Sequence, residues 1–182
     1  MSGDITFTDN KAPITIRNES SIRRPTVIGK LIEIIATNSA TADDLRREPA
    51  DIEVKIKLND LKRSKRYLID YRGESLLVDD SIKELNRNIM NGDRKLKRQM
   101  KDFYTDSLCK YSIEINPFDL NKLRENSDNI VEDVAHATMV FVKNSSDLQD
   151  GYFEEDIVFG VNLIVGYSIV ECIVMENPHD HN

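Results

Sequence analysis

The chain has no tryptophan, seven glycines and five prolines among 182 residues, a scarcity of turn formers that favours helices over a turn-rich β architecture. Its two cysteines, Cys109 and Cys172, lie far apart and show no metal-ligand spacing. Buried free thiols in a reducing cytoplasm are expected rather than a disulfide. There is no GxxxxGK phosphate loop, GxGxxG fingerprint, GxSxG elbow, HExxH helix or CxxC pair. Scattered carboxylates are plentiful, but nothing pairs them. The sequence therefore predicts no enzyme, no catalytic residues, no cofactor and no metal site. The N-terminus, MSGDITFTDN, has neither a basic n-region nor an apolar h-region, so no secretory signal is expected.

What is present is ordinary for a folded protein: 40% hydrophobic and 31% charged residues argue against global disorder. The net charge of −7 conceals an asymmetry. Residues 1–110 carry 22 Lys+Arg against 18 Asp+Glu, whereas residues 111–182 carry 3 against 14. Such polarity suits two faces with different neighbours, or self-assembly of basic ends on acidic ends. Unaided binding to nucleic acid usually shows a more positive total.

Along the chain, Ile5 and Phe7, then Ile14 and Ile16, alternate with polar residues around the turn-forming Asp9–Pro13. Residues 1–22 are thus expected to be a short β arm, 23–178 a helical domain and 179–182 a tail. Helices are predicted over Thr26–Thr37, Leu61–Tyr71 (capped by Asn59 or Asp60), Asp79–Asn91, Asp93–Tyr111 and, capped by Ser127, Asp128–Lys143. Ala42–Arg47 allows a short extra turn. In Asp51–Leu58, DIEVKIKL, apolar residues occupy every second place, which reads as a strand.

The stretch Glu154–Asn177, EEDIVFGVNLIVGYSIVECIVMEN, is apolar or small at nearly every place from Ile157 to Met175. It approaches the length of about 20 residues needed to cross a bilayer. Glu171 and Asn162 within it and acidic flanks argue against a span. Gly160 and Gly166 suit bends between strands, yet neither has the Asn or Asp neighbour of a tight hairpin. The triple acid Glu154–Asp156 fits a helix N-terminus. The expectation is a buried helix of about 23 residues, roughly 35 Å long.

Two groups of side chains stand out. Arg94, Lys95, Lys97, Arg98 and Lys101 form the densest basic cluster, with Arg94, Lys97, Arg98 and Lys101 on one helix face. Lys62, Arg63, Lys65 and Arg66 form a second. Either suits phosphates or an acidic protein, and either also suits a solvated face. His136 has Glu132 and Asp133 within a helical turn, but a partly buried, hydrogen-bonded histidine is the simpler expectation. His179 and His181 fall in the tail.

Three passages carry a resemblance: GDITFTDNKAPITI; Asp51-Ile52 through Lys55-Ile56 to Asn59 with the helix ending at Tyr71 and the Asp80–Asn86 helix with its charged successor; and Val165–Pro178, VGYSIVECIVMENP. In these the chain resembles the C-terminal domains of ABC three-component systems, bacterial conflict systems related to Lamassu. Such systems pair an SMC-like ABC ATPase with a small middle component and an effector. The resemblance implies a mainly α module with a β-hairpin arm that docks an effector or sensor onto the ATPase. No nuclease, protease or other toxic domain precedes the module here, which points to a stand-alone adaptor or accessory subunit. The expected reading is a cytoplasmic, non-enzymatic subunit of an anti-phage complex. The alternative is a small nucleic-acid-binding regulator using the helix Arg94–Lys101.

Overall fold

The computed structural model describes residues 23–39, 52–148 and 151–177, and seven helices account for most of them. The N-terminal β arm expected over residues 1–22 and the turn expected at Ala42–Arg47 lie outside these residues. The fold is mainly α. The helices are α1 (Val27–Ser39), α2 (Ile52–Leu58), α3 (Lys65–Gly73), α4 (Ser75–Asn88), α5 (Gly92–Lys110), α6 (Leu120–Lys143) and α7 (Glu154–Val170).

Helix α7 is the centre of the domain. It packs on α1, α2, α3, α4 and α6, and Val161, Leu163, Ile164, Val165 and Ile169 are almost wholly removed from solvent. A helix apolar on all sides can only be stable when neighbours cover it all round. Its glycines serve this packing and do not bend the chain. A Cβ on Gly160 would lie 2.8 Å from Ile32 of α1, and one on Gly166 would overlap the Tyr67 carbonyl oxygen and lie 2.6 Å from the Tyr71 Cβ. At Gly166 the backbone of α3 thus lies directly against α7, and at Gly160 the Ile32 side chain of α1 fills the space a side chain would take. At its start, the Asp156 carboxylate accepts the Phe153 N–H at 3.0 Å, so one member of the acidic triplet caps the helix.

The expected helix of about 23 residues is shorter. It ends at Val170, giving a length of about 26 Å. The chain then turns through Cys172, whose φ of 56° lies in the left-handed region. The N–H groups of Cys172 and Ile173 donate to the Ile169 and Ser168 carbonyls at 3.1 and 2.9 Å, the paired bonds that terminate many helices. Val174 and Met175 remain buried beyond this turn. The apolar run therefore continues past the helix, and hydrophobicity alone does not mark where the helix stops. No helix among the described residues is long and apolar enough to cross a membrane.

Asp51–Leu58 is not a strand: Ile52–Leu58 is the helix α2. Its buried positions are Ile52, Lys55 and Asn59, whereas Val54 is 49% exposed. The spacing of three and four is helical. The alternation of isoleucine and valine misleads because two of the inward-facing residues are polar.

Helix α3 starts at Lys65, four residues later than expected. The preceding backbone N–H groups of Lys62, Arg63 and Ser64 point at the Asp128 carboxylate of α6, at 2.9–3.1 Å, and are unavailable for a helical turn. Tyr67, Leu68 and Tyr71 nevertheless face inward, as their spacing predicts, and Leu61 is buried in the loop. Helix α4 begins at Ser75, because Leu77 and Val78 belong to its apolar face. Helix α4 ends at Asn88, three residues before the expected Asn91-Gly92 stop. Asn91, left-handed at φ 58°, instead precedes α5, whose first residue is Gly92. Helix α6 starts at Leu120, not Asp128. Asp119 is the cap, accepting the Lys122 N–H at 3.0 Å, and Ser127 is buried within the helix, 3.2 Å from the Asp60 carbonyl oxygen.

Candidate functional site

The five basic residues singled out in the sequence lie on α5, whose inner face is Leu96, Met100, Tyr104 and Leu108. Arg94, Lys95, Arg98 and Lys101 are exposed. Among the described residues, no carboxylate pairs with Arg94, Lys95 or Arg98. Arg94, Arg98 and Lys101 follow one another at helical spacing on the outer side, so three cations share one solvent-facing ridge. Lys101 also rests over the Tyr104 ring, 4.9 Å from its centroid.

Lys97 departs from the expected shared face. Its ammonium sits 3.1 Å from the Asp93 carboxylate and 3.0 Å from that of Glu171, the residue following α7. Partial burial alone would lower its pKa, but hydrogen bonds to Glu171 and Asp93 outweigh this and raise it. Glu171, conspicuous as an acid in an apolar run, thus meets a base of its own chain at the domain's edge. The other oxygen of Asp93 accepts from the Tyr167 hydroxyl at 2.8 Å. Burial, then this carboxylate, pushes the Tyr167 phenol far upward, so it remains a hydrogen-bond donor.

The second basic group belongs to the fold. Lys62 pairs with Asp60 at 3.0 Å, and Arg63 donates to the Asn129 side chain at 3.0 Å. Arg66 donates to Glu132 at 3.1 Å and to the Tyr67 hydroxyl at 2.8 Å, while that hydroxyl donates to Glu132 at 2.9 Å. Lys65 is exposed. Burial would raise the Asp128 pKa, but the N–H groups of Ser64, Arg63 and Lys62 together hold it below the usual carboxylate range. The Asp128, Asn129 and Glu132 contacts fasten the start of α3 to α6, while the Lys62, Arg63 and Arg66 side chains stay largely exposed.

His136 is exposed, not partly buried and hydrogen-bonded as expected. Its neighbouring acids turn elsewhere, Glu132 to Arg66 and Tyr67, and Asp133 to Lys110 at 2.7 Å. The tail histidines lie outside the described residues. Among the described residues, no three His, Cys, Asp or Glu side chains gather as they would around a metal ion. The cysteines are free thiols, but neither is buried: Cys109 is exposed and Cys172 half-buried. An open pocket of about 390 Å³ is lined by Arg23, Lys143, Ser145, Asp147 and apolar neighbours. Asp147 is engaged there, accepting the Thr26 N–H at 2.6 Å, while the Thr26 hydroxyl caps α1 by accepting the Gly29 N–H at 2.9 Å.

Sequence reasoning missed Lys55. Only 5% exposed, it sends its ammonium into the C-terminal end of α7, where it donates to the Ile169 carbonyl at 3.1 Å, to the Val170 carbonyl, and to Cys172 Sγ at 2.6 Å. Four residues on, the wholly buried Asn59 accepts the Glu176 N–H at 3.0 Å and donates to its carbonyl at 3.2 Å. The short helix α2 is therefore a clasp on the end of α7 and the turn beyond it. A spacing of lysine and asparagine on the Ile52 face was the available signal. No family model, no curated protein and no solved structure matches the chain.

Proposed function

We propose that the chain is a non-enzymatic adaptor or accessory subunit of a bacterial anti-phage defence complex, docking an effector or sensor subunit onto an SMC-like ABC ATPase. The resemblance to ABC three-component systems suggests the system, and the unpaired basic ridge Arg94–Arg98–Lys101 is the observation that supports a docking role. The internal carboxylates Asp93, Asp128, Glu132, Asp133 and Asp147 are all engaged in holding helices or loops together. What is left over for a partner is surface. An exposed ridge of one sign steers and orients an acidic protein without demanding a pocket. On this reading the N-terminal β arm adds a second contact, the protein is cytoplasmic, and no membrane is involved. Co-expression with a neighbouring SMC-like ATPase should yield a complex on affinity purification and size exclusion. The variant Arg94→Glu/Arg98→Glu should lose that complex while remaining folded. A chain that stays a monodisperse monomer beside the ATPase overturns the adaptor reading.

The same ridge favours one alternative, a small nucleic-acid-binding regulator. In that case binding to DNA should fall steeply with salt and weaken in the Arg94→Glu/Arg98→Glu variant. A signal indifferent to both changes removes this alternative.

A further inference from the structure

The turn that ends α7 places a cysteine where glycine is favoured. Cys172 is left-handed, with φ 56°, and occupies the position following the helix cap in a motif that commonly recruits glycine. What the cysteine adds there is its sulfur, 2.6 Å from the Lys55 Nζ. Lys55 is more than nine-tenths buried and is fixed by the Ile169 carbonyl at 3.1 Å and by the Val170 carbonyl. Cys172 is half-buried and not sealed within the core. A buried amine and a half-buried thiol are thus held in contact from residues 117 apart in sequence.

We propose that Lys55 and Cys172 form an oxidation-sensitive pair that a hydroperoxide closes into a covalent, reducible sulfur–nitrogen cross-link between α2 and the turn after α7. This does not depend on the adaptor reading. In the first step the Cys172 thiol attacks the peroxide: the O–O bond breaks, sulfur is oxidised by two electrons to the sulfenic acid, and the peroxide leaves as water or an alcohol. In the second, the Lys55 ammonium releases a proton and its amine attacks the sulfur. The S–N bond forms as the S–O bond breaks, and the hydroxyl leaves as water with one proton taken from the amine. No electrons change hands in this step, which is the condensation known for sulfenic acids with nearby nitrogen. An added thiol reverses it: the thiolate attacks sulfur, the amine leaves and is protonated, and a second thiol resolves the mixed disulfide.

Closing the bond takes the lysine charge away from the Ile169 and Val170 carbonyls. It also acts next to Glu171, which holds Lys97 at the side of the basic ridge. Oxidation would thus reset the end of the central helix beside the surface left for a partner.

The test is peptide mapping by mass spectrometry of the native full-length chain treated with hydrogen peroxide, with free thiols then blocked. A peptide pair joining Lys55 to Cys172, lighter than the two reduced peptides by two hydrogen atoms and lost on treatment with dithiothreitol, is the expected result. Cys109, exposed on α5, is the internal control. The cross-link should be absent from Lys55→Arg, which keeps the cation, and from Cys172→Gly, which suits the left-handed turn. Positioning should make it on the order of tenfold or more abundant in native than in urea-unfolded protein. The proposal is overturned if Cys172 is recovered as a free thiol, a sulfinic acid or a disulfide with Cys109, or if the cross-link forms equally in the unfolded chain.

Discussion

Lys55 Nζ donates to the carbonyl oxygen of Ile169 at 3.1 Å across 114 residues of sequence, placing a buried positive charge against the negative end of the central helix. The last carbonyls of a helix lack intrahelical donors, and the helix dipole concentrates negative potential there. The turn through Cys172 satisfies Ser168 and Ile169 with backbone N–H groups, and Lys55 adds a charged donor to Ile169 and supplies one to Val170. Helix α2 is short, yet it carries this donor and Asn59 on one face.

Replacing Lys55 by methionine keeps the length of the side chain and removes its donors. Hydrogen bonds to charged groups contribute about 1.5–3 kcal/mol each at most, so Lys55→Met should destabilise the domain by about 2–3 kcal/mol. Urea unfolding followed by circular dichroism measures it. An unchanged midpoint would mean that solvent serves these carbonyls equally well.

The glycines of α7 lead to a second expectation. Gly166→Ala forces a methyl group into the Tyr67 backbone and the Tyr71 Cβ, where neither side can yield without shifting a helix. Overpacking of this kind costs about 1–3 kcal/mol. Gly73 at the end of α3 has nothing within 4 Å of a built Cβ. Gly73→Ala should be neutral or stabilising by up to about 1 kcal/mol. Thermal melts of the two variants should move apart, and equal shifts would contradict the close helix crossing.

Much of this architecture was legible in the sequence, and the misses share a cause. The faces Ile28–Ile35, Leu96–Leu108 and Ile157–Ile169 obey apolar spacing, so α1, α5 and α7 were found where burial is purely hydrophobic. DIEVKIKL was misread because Lys55 and Asn59, both polar, occupy the inward positions that periodicity assigns to apolar residues. The starts of α3 and α6 were misplaced for a related reason. Asp128 looked like the first-turn acid of a helix, but lies within α6 and takes its N–H donors from a loop about 65 residues earlier. Asp119, the actual cap, has only Pro117 and an irregular segment before it to announce a start. The basic cluster on α5 was found, but its division was not. Lys97 turns towards Glu171 because of where α7 ends, which no local pattern contains.

Asp128 makes stability depend on pH in the acid range. Its carboxyl is held below the usual value by the Ser64, Arg63 and Lys62 N–H groups, which overcome the opposing effect of burial. A lowered folded-state pKa means that the unfolded chain binds the proton more readily. The stabilisation is therefore complete well above the unfolded value of about 4 and is lost as pH falls through the lower folded value. Asp128→Asn cannot titrate, so urea midpoints of the variant should show a shallower decline in acid. Wild type and variant should differ most near neutrality and converge at low pH. Parallel acid limbs would assign the pH dependence to other carboxylates.

The division of the basic cluster gives the sharpest contrast. Lys97 and Arg98 are adjacent in sequence, yet Lys97 is shared by Asp93 and Glu171 and Arg98 faces solvent. Lys97→Glu would bring a third carboxylate to that pair and release the contact between α5 and the end of α7. A partly exposed ion pair is screened, so the loss should be modest, about 1 kcal/mol. Arg98→Glu should change stability by less than about 0.5 kcal/mol, since exposed substitutions away from packed features rarely do more. Binding to an acidic partner or to DNA should follow the opposite order, with Arg98→Glu the more damaging at low salt and the difference narrowing as salt is added. Unfolding curves and salt-dependent binding on the same two variants therefore separate the residue that holds the fold from the one presented to a partner. If both variants were equally unstable, Arg98 would be held by the fold as Lys97 is, and the ridge would shrink to Arg94 and Lys101.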